Sequence, residues 1–177
     1  MLIEGLHEIH ITVDSREVAL LRYFCLETKM KAILASALYG EHPNQLMISK
    51  YSKGTSDEVI AKAYSIRETM CSFGLTPIRT KVEAMIHCQG APRGKACPDR
   101  PEDYWEFHIK VEVRDMNEVK LLADTVKVYG AHISFNAFKK ETIPLVTLRL
   151  YECSYDDAMA QKDTLLNSVK EYLQKNF

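Results

Sequence analysis

The sequence contains little of what marks a membrane-spanning, fibrous or disulfide-bonded protein. Only seven Gly and six Pro occur in 177 residues, which excludes collagen-like and low-complexity chains. No apolar run approaches the ~18 residues of a membrane-spanning helix. Glu4, His7 and Glu8 come too early for the apolar core of a secretory signal. The five Cys include no C-x-x-C pair, so we expect a reduced, cytoplasmic protein without a disulfide framework.

An excess of positive charge is also missing. Lys and Arg total 23 and Asp and Glu total 24, so the formal net charge is -1. A protein that holds nucleic acid by bulk charge needs surplus cations to displace the counterions of the phosphate backbone, and this class is therefore excluded. The remaining composition, 46% hydrophobic and 27% charged, is ordinary for a globular protein, and the length suffices for two small lobes.

An internal repeat organises the chain. The strings EIHITV at 8–13 and EFHIKV at 106–111 both alternate polar and apolar residues, which predicts two half-buried strands. Around each of them the order of elements repeats: a strand, a capped helix, two strands and a second capped helix. The capping sequences are DSRE at 14–17, TSDE at 55–58 and DMNE at 115–118, with Ser154 before the last helix.

This order predicts an α+β protein made of duplicated ferredoxin-like lobes. The first half adds a fourth strand at 78–86 and so reads βαββαβ, with antiparallel sheets and pseudo-twofold symmetry between the halves. We expect lobe 1 at 1–86, a linker at 87–103, and lobe 2 at 104–177, which lacks its last strand. The open edge of that lobe is a candidate homodimer interface.

One face of each predicted sheet is polar. The helices of a ferredoxin-like lobe cover the apolar face, so the alternate side chains project away from them. These side chains include imidazoles, guanidinium groups and small hydroxyls, a set suited to gripping an anion. The candidate residues are His10, Thr12, Arg79, Lys81, His108, Lys110, His132, Ser134, Asn136 and Arg149.

The predicted strand order places His10 beside Arg79 and Lys81, and it places Arg149 between His108 and His132. A neutral imidazole could accept a proton while another protonates a leaving oxygen, and the cations would stabilise charge on phosphorus oxygens. We therefore expect a cleft between the lobes that binds a nucleotide or another small phosphorylated molecule. The alternative is a non-catalytic module that binds a ligand or a protein.

Arg149 lies on a strand that we expect to be central, where a guanidinium needs a partner. That partner is either a bound anion or a carboxylate, and Glu106 and Glu112 on the neighbouring strand are the internal candidates. No metal or cofactor is expected, because no three His or carboxylate residues have a secure common direction.

Two short motifs resemble those of the two-histidine phosphoesterases. His10-Ile11-Thr12 has the His-x-Thr form and His132-Ile133-Ser134 the His-x-Ser form, and those proteins are also duplicated around a cleft. The resemblance implies metal-independent cleavage of phosphodiester bonds. His10 and a second His would be acid and base, with Thr12 and Ser134 on phosphate oxygens. Symmetry makes His108 the second His, whereas motif form makes it His132.

Other segments resemble different families. The segment from Gly5 to Asp14 is similar to the opening of glyoxalase and dioxygenase modules, which run βαβββ and bind a divalent metal. That resemblance implies His10 and His108 as ligands, with Glu83 as a third. The strings EFHIKVEV and HISFNAFKK resemble a microbial and viral family from which no function can be transferred.

Overall fold

The computed structural model describes residues 2–38, 44–94, 103–139 and 143–176, and the part of the predicted linker at 95–102 lies outside these ranges. The chain divides into two compact units. Unit 1 contains Met1–Ser36, His42–Ala91 and Asn136–Lys140, and unit 2 contains Ala37–Glu41, Pro92–Phe135 and Glu141–Phe177. Each unit therefore takes in a short segment from the other half of the sequence.

Unit 1 has the order βαββαβ and a four-stranded antiparallel sheet in which β1 and β3 are central. The strand order is β4-β1-β3-β2. This confirms the predicted ferredoxin-like arrangement. Its elements are β1 (Glu4–Val13), a short 3-10 helix (Ser15–Glu17), α1 (Val18–Thr28), β2 (Lys31–Ala37), β3 (Asn44–Thr55), α2 (Ser56–Ser72) and β4 (Pro77–Ala84).

Unit 2 repeats the order as far as βαββα. The central strand β7 pairs with β5 on one side and β6 on the other, both antiparallel. Within the described part of the chain no strand follows α4, and β5 pairs with β7 alone. The elements are β5 (Tyr104–Lys110), α3 (Met116–Lys127), β6 (His132–Asn136), β7 (Leu145–Tyr151) and α4 (Tyr155–Asn176).

Local side-chain chemistry fixes where the helices begin. Thr55 and Glu58 form the predicted capping box at the start of α2, each side chain bonding the backbone N–H of the other residue. Asp115 caps α3 through the amides of Asn117 and Glu118. The box predicted at 14–17 is wrong: Asp14 caps only the 3-10 turn, and the Glu17 carboxylate instead accepts hydrogen bonds from Thr76.

Each unit buries its own apolar cluster between the sheet and its helices, so the predicted polar faces point away from the helices. Apolar residues at helical spacing line the inward faces of α2, α3 and α4. The buried residues include Val59, Ala63, Ile66 and Met70 on α2, Val119, Leu122, Ala123 and Val126 on α3, and Ala158, Leu165, Val169 and Tyr172 on α4.

Two residues whose place in the apolar pattern favours the core lie outside it. Ile78 is exposed because a bulge pairs Val13 with Pro77, so Pro77 takes the inward position that strict alternation gives to Ile78. Helical spacing places both Cys25 and Cys71 on the core face of a helix, but Cys71 is exposed on α2, whereas Cys25 is buried on α1. Among the described residues, no helix is both long and apolar enough to traverse a bilayer.

Candidate functional site

The polar face of unit 1 is built around the central strand β1. Glu8 faces Glu83 on β4 and Tyr51 on β3, His10 faces Lys81 and Ser49, and Thr12 faces Arg79 and Met47. We use the name unit 1 polar face for the charged and hydrogen-bonding members of this set: Glu8, His10, Thr12, Ser49, Tyr51, Arg79, Lys81 and Glu83.

His10 lies between two carboxylates rather than beside free cations. Its Nε2 is 3.0 Å from Glu83 Oε2 and 3.7 Å from Glu8 Oε1. Its Nδ1 is buried, with no hydrogen-bond partner among the described residues. Only 14% of the side chain is exposed. One imidazole nitrogen is thus engaged by carboxylates and the other is shielded from solvent.

The cations of this face differ in their surroundings. Lys81 Nζ lies 2.5 Å from Glu83 Oε1, so its charge is largely balanced within the protein. Arg79 is exposed and faces Thr12, two residues along β1 from His10. Lys81 therefore lies beside His10 as predicted, but the carboxylate of Glu83 contacts both side chains.

Three ligand-type side chains converge here, contrary to the expectation that no such set has a common direction. Glu8, His10 and Glu83 each offer one donor atom, and these atoms all lie within 4.8 Å of one another. All three side chains are largely buried, with 14–21% exposed. Burial and the carboxylates of Glu8 and Glu83 raise the pKa of Tyr51, which reflects the negative potential of this face.

The polar face of unit 2 follows the same plan with different partners. The strand β5 again carries a Glu-x-His pair, but its cross-strand partners come from β7. The unit 2 polar face comprises Tyr104, Glu106, His108, Lys110, His132, Ser134, Thr147, Arg149 and Tyr151.

Arg149 is anchored at one end and open at the other. Its Nε donates to Glu106 Oε2, the internal carboxylate that the sequence offered as a partner. Among the described residues no hydrogen-bond acceptor contacts Nη1 or Nη2. The guanidinium carbon lies 5.5 Å from the ring centre of Tyr104, whose ring in turn lies 5.0 Å from that of Tyr151. Burial opposes the charge of Arg149, but the bond to Glu106 holds its pKa above the ordinary value.

The two histidines of this face lie in one row across the sheet, with Thr147 between them. Both His108 and His132 pair with Thr147, so the expectation that Arg149 separates them is wrong: Arg149 lies two residues further along β7. His108 Nε2 is 3.0 Å from Glu106 Oε1, and its Nδ1 is 3.1 Å from Thr147 Oγ1. Burial, and secondly the charge of Arg149, lower the pKa of His132, so its imidazole is neutral at pH 7.

The other predicted residues are placed less centrally. Lys110 is exposed at the end of β5, and Ser134 on β6 faces Leu145, as Lys110 does. Asn136 belongs to unit 1, where its Oδ1 accepts from the backbone amides of Leu34 and Phe138. That oxygen therefore holds a turn.

Carboxylates lie at the centre of both polar faces, although the predicted anion-binding residues include only cations, imidazoles and small polar groups. Glu8, Glu83 and Glu106 alternate with apolar residues in the sequence, as those candidates do. The signal was present in the repeat itself, because both copies read Glu-x-His on the first strand of their half. Residues two positions apart on a strand lie on the same face, so each Glu had to lie next to its His.

Comparisons with known proteins assign no family. No protein-family model matches the chain, and no curated protein matches it. Among solved structures, the ligand-free regulatory subunit of aspartate kinase from Thermus thermophilus matches with a TM-score of 0.41 and 13% sequence identity. The match covers 97% of this chain and 95% of the other.

Proposed function

We propose that this protein binds a small ligand and that unit 2 holds an anionic group of that ligand, a carboxylate or a phosphate, on Arg149. The observation that carries the proposal is that the nitrogens of the Arg149 guanidinium differ in their hydrogen bonds. Nε is fixed by Glu106, while the two terminal nitrogens have no hydrogen-bond acceptor among the described residues. A pair of parallel N–H groups matches the geometry of a carboxylate or a phosphate.

The surroundings prepare this group for binding. Glu106 is only 8% exposed and also contacts His108, so the carboxylate that holds Arg149 is itself fixed. A guanidinium that is already oriented loses less conformational entropy when an anion arrives. Tyr104 and Tyr151 beside it offer ring surface to the rest of the ligand.

Binding without catalysis fits the histidines better than acid-base chemistry does. A catalytic imidazole needs a nitrogen within hydrogen-bond reach of the reacting group. Both nitrogens of His108 contact protein atoms, and His10 has one nitrogen at Glu83 and the other buried. A two-histidine mechanism would have to break these contacts first.

The second candidate is a metal-independent phosphoesterase, and His132 favours it. This imidazole makes no hydrogen bond to any of the described residues, and its lowered pKa keeps it neutral, as a general base requires. In that proposal Arg149 would bind the phosphate and His132 would accept the proton of the attacking group.

Calorimetric titration of the full chain tests the proposal. The probes are inorganic phosphate, a nucleoside monophosphate, a 2',3'-cyclic nucleotide and a set of amino acids, each also incubated with the protein and assayed for turnover. We expect one class to bind without being consumed, and Arg149→Lys to weaken that binding at least about tenfold, since a point charge cannot replace the planar fork.

Arg114→Lys is the matched control, because Arg114 also donates its Nε to a Glu that is 8% exposed, but at the start of α3. Its binding should equal that of the wild type. Turnover of the cyclic nucleotide that is lost in His132→Gln would favour the phosphoesterase instead. If Arg149→Lys bound the probes with the same affinity as the wild-type protein, both proposals would be overturned.

A further inference from the structure

We propose that Glu8, His10 and Glu83 form a binding site for a divalent transition metal, with Zn²⁺ as the best fit. This site lies wholly within unit 1 and uses none of the unit 2 residues that we propose to bind the anion. It can therefore be tested independently of that function.

The donor atoms are already close to the spacing that a metal imposes. Zn²⁺ binds imidazole nitrogen and carboxylate oxygen at about 2.0–2.2 Å, so tetrahedral ligands lie roughly 3.3 Å from one another. His10 Nε2 is 3.0 Å from Glu83 Oε2 and 3.7 Å from Glu8 Oε1, and all donors lie within 4.8 Å. No donor separation exceeds the tetrahedral spacing by more than about 1.5 Å.

The electrostatics of the face favour a cation at this point. Glu8 and Glu83 occupy directly opposite positions on β1 and β4, an arrangement that is destabilising when both carboxylates are charged. Lys81 balances one of the two charges through Glu83 Oε1. A divalent ion between the carboxylates would attract both of them.

The groups behind the ligands resemble the outer contacts that orient ligands in metal sites. Ser49 Oγ donates to Glu8 Oε1 from the adjacent strand, and Lys81 holds the second oxygen of Glu83. One imidazole and two carboxylates leave at least one coordination position for water or a ligand. The nitrogen donor favours Zn²⁺ and its neighbours over Mg²⁺ or Ca²⁺, which prefer oxygen alone.

The site differs from the one that the resemblance to glyoxalase modules implies. Unit 1 has the order βαββαβ, not βαβββ, and the set that converges contains two carboxylates of this unit and no residue of unit 2. The geometry of β1 and β4 alone carries the proposal.

The experiment uses the full chain, stripped of metal with a chelator and dialysed. Co²⁺ is titrated while the visible absorption of the ion is recorded, and Zn²⁺ affinity is measured by competition with a chromophoric chelator. We expect one equivalent to bind, and His10→Gln and Glu83→Gln each to weaken binding by at least about tenfold. Circular dichroism establishes that each variant is folded, and Glu83→Gln serves if His10→Gln is not.

His108→Gln is the matched control, since His108 also contacts a Glu but faces no second carboxylate among the described residues. It should bind Zn²⁺ like the wild type, as should His87→Gln, which removes the exposed His next to Cys88. Absence of binding by the wild type, or undiminished binding by both site variants, would overturn the proposal.

Discussion

Arg149 and Glu106 lie directly opposite each other on the antiparallel strands β7 and β5, and Arg149 Nε donates to Glu106 Oε2. The pair occupies the polar face, where Glu106 is 8% exposed and Arg149 34%. Its net contribution to stability should therefore lie between that of a surface ion pair and that of a buried one.

Replacing Glu106 by Gln should lower the free energy of unfolding by about 1–2 kcal/mol, because Arg149 and His108 both lose a charged acceptor. Urea denaturation at pH 7 measures the change. Asp14→Asn is the comparison, since it removes an ion pair to Arg16, whose side chain is 88% exposed. An equal effect of the two variants would show that burial adds nothing to the Glu106 contact.

The second prediction concerns the pH dependence of stability. The pKa of His132 in the folded protein lies below 6.5, first because of burial and then because of Arg149. The unfolded chain binds the proton at higher pH, so the contribution of His132 is fully present above about pH 6.5 and is lost as the pH falls through the folded value.

His132→Gln should therefore flatten the decline of unfolding free energy between pH 7 and pH 5, measured in urea at several pH values. NMR titration of the His132 ring should show the lowered pKa directly, and Arg149→Met should return it part of the way to 6.5. A ring that titrates at or above 6.5 in the wild type contradicts the prediction.

Thr55→Ala should destabilise the protein by about 1 kcal/mol, since it removes the side-chain acceptor at the first turn of α2. Thermal and urea unfolding measure the loss. Thr69→Ala in the same helix is the control: its hydroxyl bonds the carbonyl of Ser65 within a turn that is already hydrogen-bonded. That change should be neutral or slightly stabilising, because Ala is the better helix former.

The fourth prediction separates two cysteines of unit 1. Burial raises the pKa of Cys25 to about 11, so almost no thiolate exists there at pH 8. Cys71 is exposed on α2. Iodoacetamide should label Cys71 in the native protein and Cys25 only after unfolding, as read by peptide mass spectrometry. Equal labelling of both in the native state would contradict the assigned core.

Much of the fold could be predicted because the relevant signals are local. Apolar residues at helical spacing, as in Val59, Ala63, Ile66 and Met70, and a capping box at Thr55 need no knowledge of distant contacts. The bulge at Val13 could not be predicted, because it arises from how two strands meet. A single shifted pair exposed Ile78 and buried Pro77.

For the candidate sites, the sequence predicted which side chains share a face of a strand, but not which residues on neighbouring strands lie opposite them. Alternation along a strand correctly placed His10 and Glu8 on one face, but it does not give the register with β4. Only the register reveals that Glu83 stands opposite Glu8, and that Thr147 separates His108 from His132. A shift of two residues would have produced different neighbours with the same pattern.

The short segments that each unit takes from the other half of the chain have a consequence for dissecting the protein genetically. A fragment that ends at residue 91 lacks Asn136, which accepts from the Leu34 amide, and Phe138, which packs against the first core beneath Arg22. Neither half of the gene encodes a complete unit. Two halves of the chain that are expressed separately should therefore become fully structured only when they are mixed. The two units should accordingly be inherited together, on one uninterrupted gene.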